Sequence, residues 1–205
     1  MEEKHLISSG WIELNKRLDG IESDDNLEFL NNPIFRDIFT FPFTANTEVT
    51  NRRIEDLLEY FDNLKQPISV LEVGAGWGNF CRLLCNKIKV SDYFIVDTIS
   101  MSRFSKKLLS HYNIKEVKFV EPNDIEILFD KHFDLFVANS CLSETPDNYR
   151  RKICELAFSN CDNLHIIEND SEIEENMRSK FNIVDKKQLK YTDSCGQSLY
   201  LAKKH

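Results

Sequence analysis

The stretch Ser69-Val-Leu-Glu-Val-Gly-Ala-Gly-Trp-Gly-Asn-Phe80 decides the fold of this chain. An apolar run that carries one acid, Glu72, leads directly into Gly74, Gly76 and Gly78. Glycine permits positive φ and close backbone approach, so alternating glycines at the end of a strand predict a ligand-binding turn. A merely tight turn is the alternative, but such turns rarely use three alternating glycines. The stretch therefore predicts the first strand and binding loop of an open α/β nucleotide-type fold.

A second acid follows where such a fold needs one. The run Asp92-Tyr-Phe-Ile-Val-Asp97 comes after a helix-like stretch from Asn79 to about Lys89 and ends in a carboxylate. Asp97 lies about twenty residues beyond the glycines, where βαβ nucleoside folds place the acid that accepts hydrogen bonds from ribose hydroxyls. Capping of the next helix is the alternative role for Asp97, and the two roles are compatible.

The glycine spacing also distinguishes between cofactors. A dinucleotide site reads G-x-G-x-x-G, whereas this chain reads Glu72-Val-Gly74-Ala75-Gly76-Trp77-Gly78. That pattern resembles the first motif of the S-adenosylmethionine-dependent class I methyltransferases, (D/E)-x-G-x-G-x-G. The resemblance implies S-adenosyl-L-methionine as cofactor, with the loop, including Ala75 and Trp77, under its methionine part and Glu72 near its amino group. Trp77 has an equal alternative role in packing the loop.

Strand-like runs recur along the chain and predict a mainly parallel sheet. They are residues 70–73, 93–96, 117–120, 134–138 and 164–167, with helical crossovers between them. Residues 181–185 and 198–202 predict an antiparallel pair with Gly196 between them. The methyltransferase resemblance implies a Rossmann-like sheet of seven strands, mostly parallel, whose last strand is antiparallel. Residues 67–205 would form this domain, preceded by an N-terminal helical or lid segment, 1–66.

The N-terminal segment lacks the βαβ rhythm. Residues 12–18 and 51–61 are its better helix candidates, and Pro33 and Pro42 break the region between them. The aromatic-rich stretch 35–43 is either a substrate lid or a cover for one face of the sheet.

Ligands of a doubly wound sheet bind outside the carboxyl ends of the strands, at the point where the strand order reverses. The ends of strands one, two and four should therefore converge there. The residues predicted to bind the cofactor are Glu72, Gly74, Ala75, Gly76, Trp77, Gly78, Asp97, Thr98, Asn123, Asp124, Asn139 and Ser140. Asn123 and Asp124 follow the third strand, where the family usually hydrogen-bonds the adenine amino group, although Pro122-Asn-Asp is also an ordinary turn and helix start.

Methyl transfer to an alcohol requires a positioned nucleophile and a group that takes its proton. Glu144 is the first candidate for that base because it follows the fourth strand beside the expected methyl position. Its alternative role is to stabilise the start of the next helix, where negative charge is favourable. His132, His165 and Asp170 are weaker candidates; His132 should be exposed, and His165 should be a satisfied core residue.

The fourth-strand segment Phe133-Asp-Leu-Phe-Val-Ala-Asn-Ser-Cys-Leu-Ser-Glu-Thr-Pro146 places hydroxyl, amide and carboxylate groups at the end of an apolar strand. It resembles the putative sugar O-methyltransferases of bacterial surface-polysaccharide clusters, except that Thr145 stands where those proteins prefer Met. The resemblance implies methyl transfer to a hydroxyl of a small polar acceptor, a sugar or polysaccharide precursor. Alternatives are a methyltransferase of RNA or protein amino groups, an NAD-type oxidoreductase and a non-catalytic nucleotide-binding module.

Composition narrows these classes further. The net charge of −8 disfavours a nucleic-acid partner, since phosphate binding needs clustered Lys and Arg. We expect no membrane span and no secretory signal, and hence a cytoplasmic protein. The six cysteines form no C-x-x-C pair, and no tight ligand cluster predicts a metal. Neither the oligomeric state nor the identity of the acceptor can be read from the sequence.

Overall fold

The computed structural model describes residues 43–61, 64–168, 171–188 and 198–205. The helices are α1 (Phe43–Tyr60), α2 (Asn79–Lys87), α3 (Ile99–His111), α4 (Asp147–Asn160) and α5 (Ser171–Arg178), with a 3-10 helix at Pro122–Leu128. The strands are β1 (Ile68–Val73), β2 (Val90–Val96), β3 (Val117–Val120), β4 (Phe133–Asn139), β5 (Cys161–Glu168), β6 (Phe181–Gln188) and β7 (Ser198–Lys204). The expected helix at 12–18, residues 35–42, Asp170 and Gly196 lie outside the described residues.

The seven strands form one sheet in the order β3-β2-β1-β4-β5-β7-β6. Neighbours from β3 to β5 pair in parallel, whereas β7 is antiparallel to both β5 and β6. The predicted Rossmann-like sheet with an antiparallel last strand is therefore confirmed. All seven predicted strands occur, each extended by at most a few residues. The strand order reverses between β1 and β4, so the carboxyl ends of β2, β1 and β4 lie side by side, as predicted.

Both faces of the sheet are covered, which explains why the central strands are continuous apolar runs rather than alternating ones. The helices α1 and α2 pack on one face, called here the α1/α2 face, over residues such as Val70, Val137 and Leu201. The 3-10 helix, α4 and α5 pack on the other face, over Leu71 and Phe136.

The helix α1 begins at Phe43, earlier than the predicted start at Asn51. Ile54 and Leu57 of α1 and Phe61, directly after it, are buried and lie three and four positions apart, the spacing of one helix face. They join the core of the α1/α2 face. The division of the chain at residue 66 stays a prediction. Among the described helices, none combines the length and apolar character needed to cross a bilayer.

Candidate functional site

A cleft lies where the carboxyl ends of β1, β2 and β4 meet. It contains about 600 Å³ of space, part of which is open to solvent. The predicted site residues that line it are Gly74, Asp97, Thr98 and Glu144. Four other residues that line the cleft were not predicted as site residues from the sequence. They are Pro122, Cys141, Thr145 and Tyr149.

The three loop glycines are all in the left-handed region, with φ of +67° at Gly74, +58° at Gly76 and +81° at Gly78. A Cβ on Gly74 would lie 2.5 Å from the Cβ of Cys141, and one on Gly78 would lie 3.1 Å from the Cβ of Ser105. A Cβ on Gly76 would have only the Met101 Cε nearby, at 3.9 Å. Gly74 and Gly78 are therefore required by packing within the protein, whereas at Gly76, which is also buried, a Cβ would meet no clash.

Asp97 ties the glycine loop to the end of β2. Its Oδ2 accepts a hydrogen bond from the Gly76 N–H at 3.0 Å, and its Oδ1 accepts one from the Thr98 N–H at 2.8 Å. Two carboxylate oxygens offer about four lone-pair sites, so acceptor capacity remains for ligand hydroxyls. Burial raises the pKa of Asp97 to about 7, against the smaller lowering effect of these two N–H donors.

Asp97 does not cap the next helix, because its neighbour fills that role. Thr98 is the N-cap of α3, and its hydroxyl oxygen accepts a hydrogen bond from the Met101 N–H at 3.5 Å. Asp97 is thus left to bind the loop.

Glu72 points away from the cleft, into the α1/α2 face. Its Oε2 accepts a hydrogen bond from the Tyr93 hydroxyl at 2.7 Å, and the residue is only 2% exposed. Burial, more than the nearby charge of Asp97, raises the pKa of Glu72 to about 8, even though the Tyr93 bond opposes this. Ala75 and Trp77 are also buried, in the turn itself.

The end of β4 carries two further predicted residues. The Asn139 Oδ1 is buried and has no hydrogen-bond partner among the described residues. Ser140 adopts a positive φ of +58°, unusual for a residue other than glycine, and its N–H donates to the Ile167 carbonyl at 2.8 Å. This bend turns the chain from β4 into the loop that carries Glu144.

Asn123 and Asp124 lie on the exposed side of the 3-10 helix. The Asn123 Oδ1 accepts a hydrogen bond from the Tyr149 hydroxyl at 2.6 Å, which links this helix to α4 across the cleft mouth. Pro122, rather than either predicted residue, contributes to the cleft wall.

Glu144 lies at the cleft and shares its surroundings with a second acid that sequence reasoning missed. Partial burial and then the charge of Glu168 raise the pKa of Glu144. Glu168 ends β5, is fully buried and accepts a hydrogen bond from the Leu142 N–H at 2.6 Å, which holds the loop before Glu144. The helix α4 begins at Asp147, after Pro146 as N-cap, so the acid of its first turn is Asp147 rather than Glu144.

The signal for Glu168 was present in the sequence. Leu-His-Ile-Ile-Glu168 is an apolar strand that ends in an acid, just as β2 ends before Asp97.

The two weaker histidine candidates lie in different places. His132 is exposed, as expected, and its Nε2 is 3.0 Å from the Asp162 Oδ2 at the opposite end of β4 from the cleft. His165 is fully buried on β5, with its ring centroid 5.1 Å from that of Phe80. Neither of its ring nitrogens has a hydrogen-bond partner in the described part of the chain, so His165 is a core residue but not a satisfied one. Burial, and then the charge of Arg53, lower the pKa of His165 to about 3.

Within residues 43–61, 64–168, 171–188 and 198–205, no three His, Cys, Asp or Glu side chains are arranged to hold a metal ion. Metal dependence is therefore not assigned to any described residue.

No model of a known protein family matches this sequence, and neither does any curated protein. Solved structures do resemble the fold. The N-methyltransferase NodS from Bradyrhizobium japonicum WM9, in complex with S-adenosyl-L-homocysteine, is 14% identical, with a TM-score of 0.65 over 96% of this chain and 99% of that one. Magnesium protoporphyrin IX methyltransferase (ChlM) from Synechocystis PCC 6803, with bound SAM, is 12% identical, with a TM-score of 0.65 over 97% and 92%.

An rRNA methylase from Streptococcus thermophilus is 12% identical, with a TM-score of 0.57 over 74% of this chain and 96% of that one. Together these likenesses show that the chain has the fold of class I methyltransferases.

Proposed function

We propose that this protein is an S-adenosylmethionine-dependent methyltransferase that transfers a methyl group to a hydroxyl of a small polar acceptor. NodS and ChlM, which share its fold, were crystallised with S-adenosylhomocysteine and SAM, respectively. The observation that carries the proposal is the cleft at the carboxyl ends of β1, β2 and β4, whose wall includes Gly74 and the half-buried carboxylate of Asp97.

The described residues fit the cofactor. Gly74, which has no side chain, lines the cleft together with Asp97 and Thr98, and this allows close approach of a ligand to the backbone. Asp97 retains lone pairs for two ribose hydroxyls while its oxygens hold the loop. Asn139 ends β4, and Ser140 turns the chain toward Cys141 and Glu144, which line the cleft.

When bound, S-adenosylmethionine supplies an activated methyl group on a sulfonium. The protein must then hold the acceptor oxygen in line and take its proton, and the second task adds roughly two to four powers of ten in rate. Glu144 is our candidate for the proton acceptor because it lies at the cleft and because partial burial and the charge of Glu168 raise its pKa. Glu168 supports it by holding the Leu142 N–H and so fixing the loop.

The acceptor class rests on the chemistry of the cleft and on overall charge. Hydroxyl, amide and carboxylate groups surround the end of β4, and the net charge is −8. These features favour a sugar or polysaccharide precursor. The fold likeness to an rRNA methylase keeps an RNA substrate as the second candidate. Such a substrate requires a basic surface, because counterion release drives its binding.

Isothermal titration calorimetry with S-adenosylhomocysteine and with NAD tests the proposal. We expect binding of the first and none of the second. The variant Asp97→Ala should weaken S-adenosylhomocysteine binding by about 1–3 kcal/mol, roughly the cost of leaving ligand hydroxyls unpaired. Asp92→Ala is the matched control, since Asp92 lies on the same strand at its far end and pairs with Lys118. Binding of NAD alone, or an unchanged affinity in Asp97→Ala, would refute the assignment.

A further inference from the structure

A group of polar side chains lies buried between α1 and the sheet, and only one of them, Asn139, is among the residues predicted to bind the cofactor. It consists of Arg53 on α1, His165 on β5 and Asn139 at the end of β4, and is called here the buried polar cluster. In the register of the sheet, His165 is opposite Val137, which faces α1 and α2. Because side chains alternate between faces, Asn139 lies on the same face as Val137, two residues nearer the carboxyl edge.

The cluster has four polar atoms that lack a hydrogen-bond partner among the described residues. They are both ring nitrogens of His165, the Nε of Arg53 and the Oδ1 of Asn139. Native structures contain few such atoms, and each one costs about 1–3 kcal/mol if it stays unpaired. Four of them on three side chains of one cluster therefore indicate a missing partner rather than separate defects.

The charge of the cluster indicates the kind of partner. Arg53 is mostly buried, and burial lowers its pKa to about 10, so it is still a cation at neutral pH. It lies close enough to lower the pKa of His165. A buried cation without a carboxylate is strongly unfavourable, whereas an anion placed beside it restores the balance.

The hydrogen-bonding capacities refine this further. The Arg53 Nε–H is a donor, and a neutral imidazole has one donor and one acceptor nitrogen. Asn139 offers a carbonyl oxygen, which requires a donor such as a hydroxyl. The Arg53 donor lies on α1 and the His165 donor on β5, which α1 covers. The Asn139 acceptor lies at the carboxyl end of β4, next to the cleft.

We propose that the buried polar cluster is a subsite for an acceptor that carries both an oxyanion and a hydroxyl. Arg53 and His165 would donate hydrogen bonds to the carboxylate or phosphate oxygens, and Asn139 would accept one from the hydroxyl that faces the cleft. This inference rests on the proposed function only in identifying the bound molecule as the methyl acceptor, because anion binding at the cluster does not require methyl transfer. It narrows the acceptor to hydroxylated acids and phosphorylated sugars.

The test uses inorganic phosphate and D-glycerate as probes, with glycerol as the uncharged control. We expect phosphate and glycerate to raise the melting temperature by about 3–6 °C at ten times their apparent Kd, and glycerol to leave it unchanged. Both anions should also shift the imidazole NMR signals of His165, which are assigned by comparison with His165→Gln.

The variant Arg53→Met keeps the apolar stem of the side chain and removes the charge. Without probes it should melt a few degrees above the wild type, since a buried uncompensated cation is gone. It should bind both anions about 10- to 100-fold more weakly, as expected for loss of a charge-assisted hydrogen bond. Arg52→Met is the matched control, because Arg52 is the exposed neighbour that pairs with Glu48, and it should respond to the probes as the wild type does.

An equal response of Arg53→Met and wild type to phosphate, or no anion-dependent shift of His165, would overturn the subsite. If Arg53→Met fails to fold, the wild-type His165 signals still decide the question. Calorimetry with S-adenosylhomocysteine separates the two proposals. Anion binding without S-adenosylhomocysteine binding would overturn the methyltransferase assignment alone, and the reverse result would overturn the subsite alone.

Discussion

The buried acid Glu72 makes a specific prediction about stability. In the folded protein its pKa is raised to about 8, from an ordinary value of 4.5, mainly by burial. Below both values Glu72 is protonated in the folded and the unfolded chain and contributes nothing to the pH dependence. Between them only the unfolded chain loses the proton, so stability falls as the pH rises. Above the pKa of the folded protein, Glu72 is ionised in both states, and the full loss of stability is present.

The magnitude follows from the interval between the two pKa values. At 1.36 kcal/mol per pH unit, the interval from 4.5 to about 8 corresponds to about 5 kcal/mol in total, and to about 3 kcal/mol at pH 7. Glu72→Gln is neutral at every pH and retains a side-chain oxygen that can accept the hydrogen bond from Tyr93. The variant should therefore exceed the wild type by only about 1 kcal/mol near pH 5 and by about 3 kcal/mol at pH 7.

Urea unfolding at about pH 5, 7 and 8.5 measures this difference. Subtracting the wild-type free energy of unfolding from that of Glu72→Gln cancels the titration of groups common to both proteins. Glu59→Gln, on the exposed side of α1, is the control and should show a difference that does not grow with pH. A flat difference for Glu72→Gln, or a variant that is less stable at high pH, would refute the assignment of a neutral, buried Glu72.

Two further predictions concern the loops around the cleft. Glu144→Gln should lower turnover while leaving S-adenosylhomocysteine affinity nearly intact, and equal activity would remove Glu144 from the mechanism and leave positioning alone. Gly74→Ala should destabilise the fold by about 2–4 kcal/mol, because its Cβ would lie 2.5 Å from that of Cys141, whereas Gly76→Ala should cost only about 1 kcal/mol of backbone strain. Thermal unfolding of both glycine variants checks this, and equal losses would contradict the packing argument.

The fold could be predicted because its signals are local. The central strands β1, β4 and β5 are mainly apolar runs of the right length, and the three glycines require backbone angles that other residues rarely adopt. The position of Asp97 could also be predicted, since the length of a βαβ unit fixes where the second strand ends. The start of α1 was predicted less accurately, because the residues before Asn51 lack a clear apolar period.

The roles of individual side chains were harder to predict because they depend on the direction in which each one points. Glu72 stands in the expected motif, yet strand alternation turns it toward Tyr93 and away from the cleft. Glu168 and Tyr149 reach the site from β5 and α4, which are distant in sequence from the glycine loop. The unpartnered state of His165 depends on α1 covering it, and nothing in a single strand reveals this.

The link between Asp97 and Gly76 has a consequence for how the loop meets its ligand. A glycine-rich turn samples many conformations in an unfolded chain, and ordering it upon ligand binding would weaken affinity. Here the carboxylate fixes the turn during folding, so that loss of conformational entropy precedes any encounter. The turn acts as a preorganised surface, and its ligand can dock without waiting for a disorder-to-order transition at this turn.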